Sequence, residues 1–346
     1  TSLRGLGGKQ YTYVALPHDF DHDGDTDLFE GNDFGPNVLW RNEGGSFVAD
    51  EERGFGGTSA YTMGAALADL DSDGRWDLYV SNMSSEQGMR MVPHARGISE
   101  AMRRRVDAIA RGNALYSEPE AGGRWPDRAR RLGVNEGEWA WGCQFLDVDG
   151  NGTLELGVTN GFASHRDPSR GDWQTYYWRQ VLDDALRLER GETIRDVNAA
   201  LRFQGSFNGH ERDRLFVRAD PVDGVRNPDR PWVDAGWCLG LDASHDGRAL
   251  VPIDPDGDGD LDVALWTLGG LVYYENTGAP GDWTRVRLEP THPPVPALGA
   301  RVEVQRGSAR ARGHVALVEG FQSQVDSDLH FGLGPEPSGA PVDTLE

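Results

Sequence analysis

The stretch Thr62-Met-Gly-Ala-Ala-Leu-Ala-Asp-Leu-Asp-Ser-Asp-Gly-Arg-Trp-Asp-Leu-Tyr-Val-Ser-Asn82 decides the fold. A small, apolar run (Thr62–Ala68) meets an acidic loop of the form DxDxDG, and an alternating run (Leu78–Asn82) follows. Two short β-type runs around a glycine-containing turn read as a hairpin. The same pattern occurs three more times, as DFDHDGDTDLF from Asp19, DVDGNGTLELG from Asp147 and DPDGDGDLDVA from Asp254. The flanks repeat with it. YTYVALP, WAWGCQFL and RALVPI precede the other three loops, and LFEGN, LELGVTN and LDVALWT follow them. A third run comes later in each unit: NVLWRN, NALYSE, DRLFVR and LVYYEN. Strand, acidic loop, strand, turn, strand, repeated with variable insertions, predicts an all-β protein built of propeller blades.

The chain has 346 residues and a formal net charge of −22. That charge argues against a nucleic-acid partner, because phosphate is repelled. No apolar run is long enough for a transmembrane helix, so no membrane insertion is expected. Two cysteines, Cys143 and Cys238, allow one bridge or two thiols, with buried thiols the simpler expectation. Two insertions read as helical: 94–112, with Ile98, Met102, Val106 and Ile109 on one face, and 172–204, with Leu182, Leu186 and Leu188 among charges. Prolines 280, 290, 293, 294 and 296 mark a seam. The expected domains are therefore 1–290, the blades, and 298–346, a small β module.

The loops carry the chemistry. Loop 1 offers Asp19, Asp21, Asp23 and Asp27 at positions 1, 3, 5 and 9, with Asp25 at position 7 giving its backbone carbonyl. Loop 2 offers Asp69, Asp71, Asp73 and Asp77, with the carbonyl from Arg75. Loop 3 offers Asp147, Asp149, Asn151 and Glu155, with the carbonyl from Thr153. Loop 4 offers Asp254, Asp256, Asp258 and Asp262, with the carbonyl from Asp260. Alternate residues of a tight loop point inward, so the oxygens at positions 1, 3 and 5 converge. Oxygen-only donors in a flexible loop select Ca²⁺ over Mg²⁺, which demands a smaller and wetter shell. About four Ca²⁺ sites are expected, in a structural role, with loop 3 the weakest because Asn151 removes a charge.

These loops and flanks resemble FG-GAP/VCBS-type repeats, the calcium-binding blades of integrin-α-like propellers. The stretch LGARVEVQRG…GHVALVEGFQSQVDSDLHFGLG resembles an ASPIC/UnbV domain through Gly299-Ala300-Arg301, Gln322-Ser323-Gln324 and His330-Phe331-Gly332-Leu333-Gly334. The pair together resembles the cartilage acidic protein family and its bacterial relatives. The resemblance covers roughly residues 10–92, 133–161 and 235–346. It implies an extracellular, periplasmic or cell-surface protein whose calcium-stabilised propeller serves binding or adhesion, and it supplies no catalytic residues. Such propellers usually close with about seven blades. Four loops therefore suggest a piece of a larger chain or assembly, or blades without the acidic loop.

The remaining candidates are thinner. His18 and His22 flank loop 1 and are expected at the surface. His330 is expected to be structural. Trp139 and Trp141 alternate and are expected to pack a blade, with a sugar-stacking platform as the alternative. Trp173, Tyr176, Tyr177 and Trp178 crowd six residues and suggest a face for a protein or glycan ligand. An enzyme with its pocket at the propeller axis, under the inserted helices, is the alternative function, although no nucleophile or acid–base pair stands out.

Overall fold

The computed structural model describes residues 5–6, 11–33, 35–52, 55, 61–193, 205–219, 232–278, 281–289, 297–307, 309–316, 318–334, 342 and 344–345. Each predicted unit forms an antiparallel blade. Blade 1 pairs β1 (Thr12–His18), β2 (Asp27–Asn32), β3 (Val38–Asn42) and β4 (Phe47–Ala49) in chain order. Blade 2 pairs β5 (Thr62–Ala68), β6 (Asp77–Asn82) and β7 (Ala114–Ser117). Blade 3 pairs β8 (Ala140–Leu146), β9 (Glu155–Asn160), β10 (Arg214–Arg218) and β11 (Trp232–Asp234). Blade 4 pairs β12 (Gly247–Ile253), β13 (Asp262–Thr267) and β14 (Gly270–Tyr274). First strands have seven residues and second strands six in every blade. That regularity follows from the repeated spacing in the sequence. The first strand of each blade also carries an irregularity after its opening residue, at Thr12/Val14, Thr62/Gly64, Ala140/Cys143 and Gly247/Ala249. An extra residue there increases local twist, which curves a first strand around the axis.

The blades stack in chain order, each on the next, through alternate residues of their strands. Leu16, Phe29 and Leu39 of blade 1 meet Leu67, Leu78 and Val80 of blade 2. Ala66 and Tyr79 meet Cys143, Phe145 and Val158 of blade 3, and Leu146 and Leu215 meet Leu250, Val263 and Leu265 of blade 4. Polar pins hold the strands of blade 3 together. Glu211 accepts hydrogen bonds from the Trp139 amide (2.8 Å) and from Asn208 Nδ2 (2.8 Å). Asp213 accepts from the Asn160 amide at 2.8 Å. Burial pushes the Glu211 carboxyl up to about 8 and that of Asp213 up to about 7. An acid whose pKa is raised on folding contributes stability that is complete below its unfolded pKa and is lost as pH rises through the folded value. With calcium held saturating, melting temperature is therefore expected to fall between pH 6 and 9, by on the order of 2 kcal/mol of stability. Glu211→Gln and Asp213→Asn should flatten that slope; a slope unchanged in both variants would remove these carboxyls as its source.

The insertions between blades form a helical layer over one end. Helices α1 (Glu86–Met91) and α2 (Glu100–Ala108) follow β6, α3 (Ala129–Leu132) precedes blade 3, α4 (Gln174–Glu189) follows β9, and α5 (Gly236–Leu239) precedes blade 4; α1, α2 and α4 make the layer, whereas α3 packs between blades 2 and 3 and α5 lies beside loops 3 and 4. Ser85 and Ser99 cap α1 and α2 by accepting from the Gly88 and Met102 amides. Ile98, Val106 and Ile109 are buried, with Met102 packed beside them, as their spacing predicts. Leu182 and Leu186 of α4 join this cluster, whereas Leu188 is exposed. The segment of the second insertion from 194 to 204 lies outside the described residues.

The C-terminal module has two small sheets, β15 (Trp283–Val286) with β18 (Leu329–Gly332), and β17 (Ala309–His314) with β16 (Arg301–Arg306) and β19 (Thr344–Leu345). β15 lies inside the proline-marked seam, before the domain boundary expected at 290, and its register from Trp283↔Gly332 to Val286↔Leu329 pairs it with this module. Hydrogen bonding thus starts the module near residue 281, because the partner strand β18 lies more than forty residues downstream. Cys143 is a buried thiol as expected; Cys238 is also a free thiol but is exposed, since it sits on the short helix α5 at the surface.

Candidate metal centre and its capping module

All four acidic loops adopt one design. The glycine after position 5 has a positive φ in each: Gly24 +93°, Gly74 +89°, Gly152 +81° and Gly259 +96°. Only glycine takes that backbone turn without steric cost. Position 4 is also left-handed, and there His22 and Ser72 do what Gly150 and Gly257 do elsewhere. The position-7 amide donates to the position-5 side chain every time: Asp25 to Asp23 (3.0 Å), Arg75 to Asp73 (2.8 Å), Thr153 to Asn151 (2.6 Å) and Asp260 to Asp258 (3.1 Å).

Carboxylates converge in each loop to within 4.8 Å of one another. The converging sets are Asp19, Asp21 and Asp27; Asp69, Asp71 and Asp73; Asp147, Asp149 and Glu155; and Asp254, Asp256 and Asp258. Position 9 opens the second strand in all four blades. Its carboxylate is buried there and acts as a clasp. Asp27 accepts from the Phe20 and Asn42 amides (2.9 and 2.7 Å), and Asp262 accepts from the Asn276 amide (2.7 Å). Asp77 and Glu155 accept from Leu70 and Val148 (3.3 and 3.0 Å). Asp77 and Asp262 stand outside their converging sets, and so does Asp23 at position 5 of loop 1. Asp27 and Glu155 do both: each closes its hairpin and belongs to its converging set.

The loops fit a hard cation. Asp19 Oδ1, Asp25 Oδ1, Asp254 Oδ2 and Asp260 Oδ2 are buried with no hydrogen-bond partner among the described residues. Burial pushes Asp27, Asp77 and Asp147 up to about 6 and Glu155 up to about 8, with neighbouring carboxylates adding to the rise. A divalent ion held by these oxygens would supply the missing charge and satisfy the orphaned atoms, and its role would be to lock each hairpin.

The C-terminal module lies across this same end of the blades and touches every loop. Arg301 pairs with Asp19 (3.4 Å) and Arg312 with Asp69 (2.9 Å). The Gly334 amide donates to the Gly150 carbonyl (3.2 Å), and His330 Nε2 lies 2.9 Å from the Gly259 carbonyl. A Cβ on Gly332 would fall 1.9 Å from Asp147 Oδ2, so the HFGLG turn reaches loop 3 only because it is glycine there. His330 stacks on Trp283 (5.6 Å between rings). His18, expected at the surface, is buried instead. It ends β1, and its ring packs edge-on against Phe20, Trp76 and His314, the last contributed by the module. His22 is half-exposed and meets Glu118.

From the module, residues 319–323 run along the first strands. Gly320 exchanges backbone hydrogen bonds with Ala65 of β5 (2.7 and 3.2 Å). Phe321 beyond it stacks on Tyr13 (5.9 Å) and meets Trp141 edge-on (5.0 Å) under the helical layer. Under the helical layer Phe321, Trp139, Trp141, Tyr177 and Phe207 form one buried cluster. Trp139 and Trp141 pack as blade residues, and the Arg248 guanidinium lies 4.0 Å over the Trp141 ring. The aromatic quartet of the second insertion divides. Tyr177 and Trp178 are buried, while Trp173 and Tyr176 are 37% and 36% exposed and form a T-shaped pair at 5.4 Å.

Blades with a repeated acidic hairpin, capped by a two-sheet module, define a propeller-like all-β protein. Comparison with known families agrees at both ends of the chain. Residues 19–80 match an FG-GAP-like repeat, and residues 290–346 match the family described as ASPIC and UnbV. No curated protein matches the chain. Among the described residues no helix is long and apolar enough to cross a membrane.

Proposed function

We propose that the protein is an extracellular or cell-surface binding module whose blades are locked by calcium, one ion in each acidic loop, and whose helical layer presents the recognition face. The observation that carries this reading is the fourfold convergence of carboxylate oxygens on one loop design. The recognition face is assigned to Trp173 and Tyr176. Their rings are half-exposed on a helix whose other aromatics anchor it to the blades, which gives a rigid aromatic platform for a protein or glycan partner. Titrating neutral oligosaccharides in calcium should shift the tryptophan fluorescence. Trp173→Ala and Tyr176→Ala should abolish that shift with melting temperature unchanged. A shift that survives both substitutions would move the ligand face elsewhere. Membership of a larger assembly is the second reading. It is favoured by blade 4, where Trp266, Leu271 and Tyr273 leave an exposed apolar face opposite the one packed on blade 3.

A further inference from the structure

A cavity of about 150 Å³ lies between the inner ends of blades 2 and 3 and the C-terminal module. Gln144 of β8, His314 at the end of β17 and Glu319 of the axial segment line it, and all three are more than nine-tenths buried. His314 Nε2 and Glu319 Oε1 stand 3.2 Å apart, yet neither has a hydrogen-bond partner among the described residues, because their alignment is not that of a hydrogen bond. Gln144 Oε1 is likewise without a partner. Gln144 Nε2 donates to the other Glu319 oxygen at 2.7 Å, which sets the direction of the amide and leaves its carbonyl oxygen free. Three buried polar atoms without hydrogen-bond partners around one small polar cavity are costly unless something satisfies them together, and an ion pair with a protonated His314 would serve only two of them.

We propose that this cavity is a site for one divalent transition-metal cation, held by His314 Nε2, Glu319 Oε1 and Gln144 Oε1 and completed by water. Two ligand atoms each about 2.1 Å from a shared ion stand about 3.0–3.4 Å apart, which suits the His314–Glu319 separation. The cavity has room for the completing waters, since each needs on the order of 15 Å³ of such volume. The charge is suitable: Asp69, Asp147 and Glu319 line the cavity against Arg312. The imidazole distinguishes this site from the loops. An oxygen-only set takes Ca²⁺, whereas a mixed nitrogen and oxygen set suits metals such as Mn²⁺, Fe²⁺ or Zn²⁺. His18 and Trp76 hold the His314 ring edge-on (5.4 and 5.0 Å between rings), and Ser323 Oγ donates to the Glu319 carbonyl, so both ligands are braced from behind. Such an ion would join blade 3 to the module independently of the loops.

The test uses the full chain in millimolar calcium, which keeps the acidic loops filled, with Mn²⁺ as the probe. One equivalent of Mn²⁺ should bind, and pulsed electron paramagnetic resonance should show coupling to an imidazole ¹⁴N. His314→Gln should lose that coupling, His330→Gln should keep it, and Glu319→Gln should weaken binding about tenfold or more while keeping it. Absence of bound Mn²⁺ in the unsubstituted protein, binding without nitrogen coupling, or coupling that persists in His314→Gln would each overturn the proposal. If His314→Gln does not fold, Glu319→Gln decides: an unchanged affinity there overturns it.

Discussion

Chelating calcium should lower the melting temperature by on the order of 20 °C. An ion present at a hundred times its dissociation constant stabilises the folded state by about 2.7 kcal/mol, and four such ions act on one stacked set of blades. A kilocalorie shifts melting by about 2–4 °C in domains of roughly this size. The loops should not contribute equally. The sequence suggests loop 3 as weakest, but the tertiary structure gives loop 2 its own countercharges: Arg312 on Asp69 and Arg75 on Asp73. Among the described residues no arginine pairs with a carboxylate of loop 4, and two of its oxygens are buried without partners. Asp254→Asn should therefore remove more calcium-dependent stability than Asp69→Asn. Calorimetry should count about four ions in the unsubstituted protein. A chelator shift of less than a few degrees with no bound calcium would reduce the loops to solvated acidic turns.

Trp178→Ala should cost about 3–5 kcal/mol, the range for deleting a fully buried large aromatic. Trp178 is fully buried, and its ring lies so close to α1 that a Cβ on Gly88 would come within 2.5 Å of it. Its neighbours Tyr177, Val92 and Ala185 belong to the same cluster as Phe321. The loss would therefore loosen helix α4 from the blades and also the end of the axial segment. The expected result is a melting temperature about 10 °C lower, together with faster amide exchange in α1, α4 and residues 319–323. Trp173→Ala, five residues earlier and half-exposed, should change melting little. Equal costs for the two would show that the helical layer is not anchored through Trp178.

Much of the fold is local and was therefore legible. The strand–loop–strand repeat places the first two strands of each blade, eight in all, because a seven-residue apolar run, an eight-residue acidic turn and a six-residue alternating run are each specified by neighbouring residues. The positive-φ glycines follow from DxDxDG in the same way. The candidate site was legible to the level of its loops but not of each ligand. Whether Asp77 clasps Leu70 and the third strand or faces a cation depends on angles that spacing does not encode. The split of Trp173 and Tyr176 from Tyr177 and Trp178 needed to know which helix face meets α1.

The sequence by itself determined the blades, their four acidic hairpins, the helical insertions and the presence of a distinct C-terminal β module. Only the tertiary structure decided where that module goes. It lies across the loop end of the blades, and its residues 319–323 line the first strands up to the helical layer. That arrangement buries His18, sets Phe321 under the helical layer, and brings Gln144 to His314 and Glu319. The physical reason is separation along the chain. Repeats advertise themselves through near neighbours, whereas Gln144 and Glu319 meet across 175 positions, through a contact that neither local sequence describes.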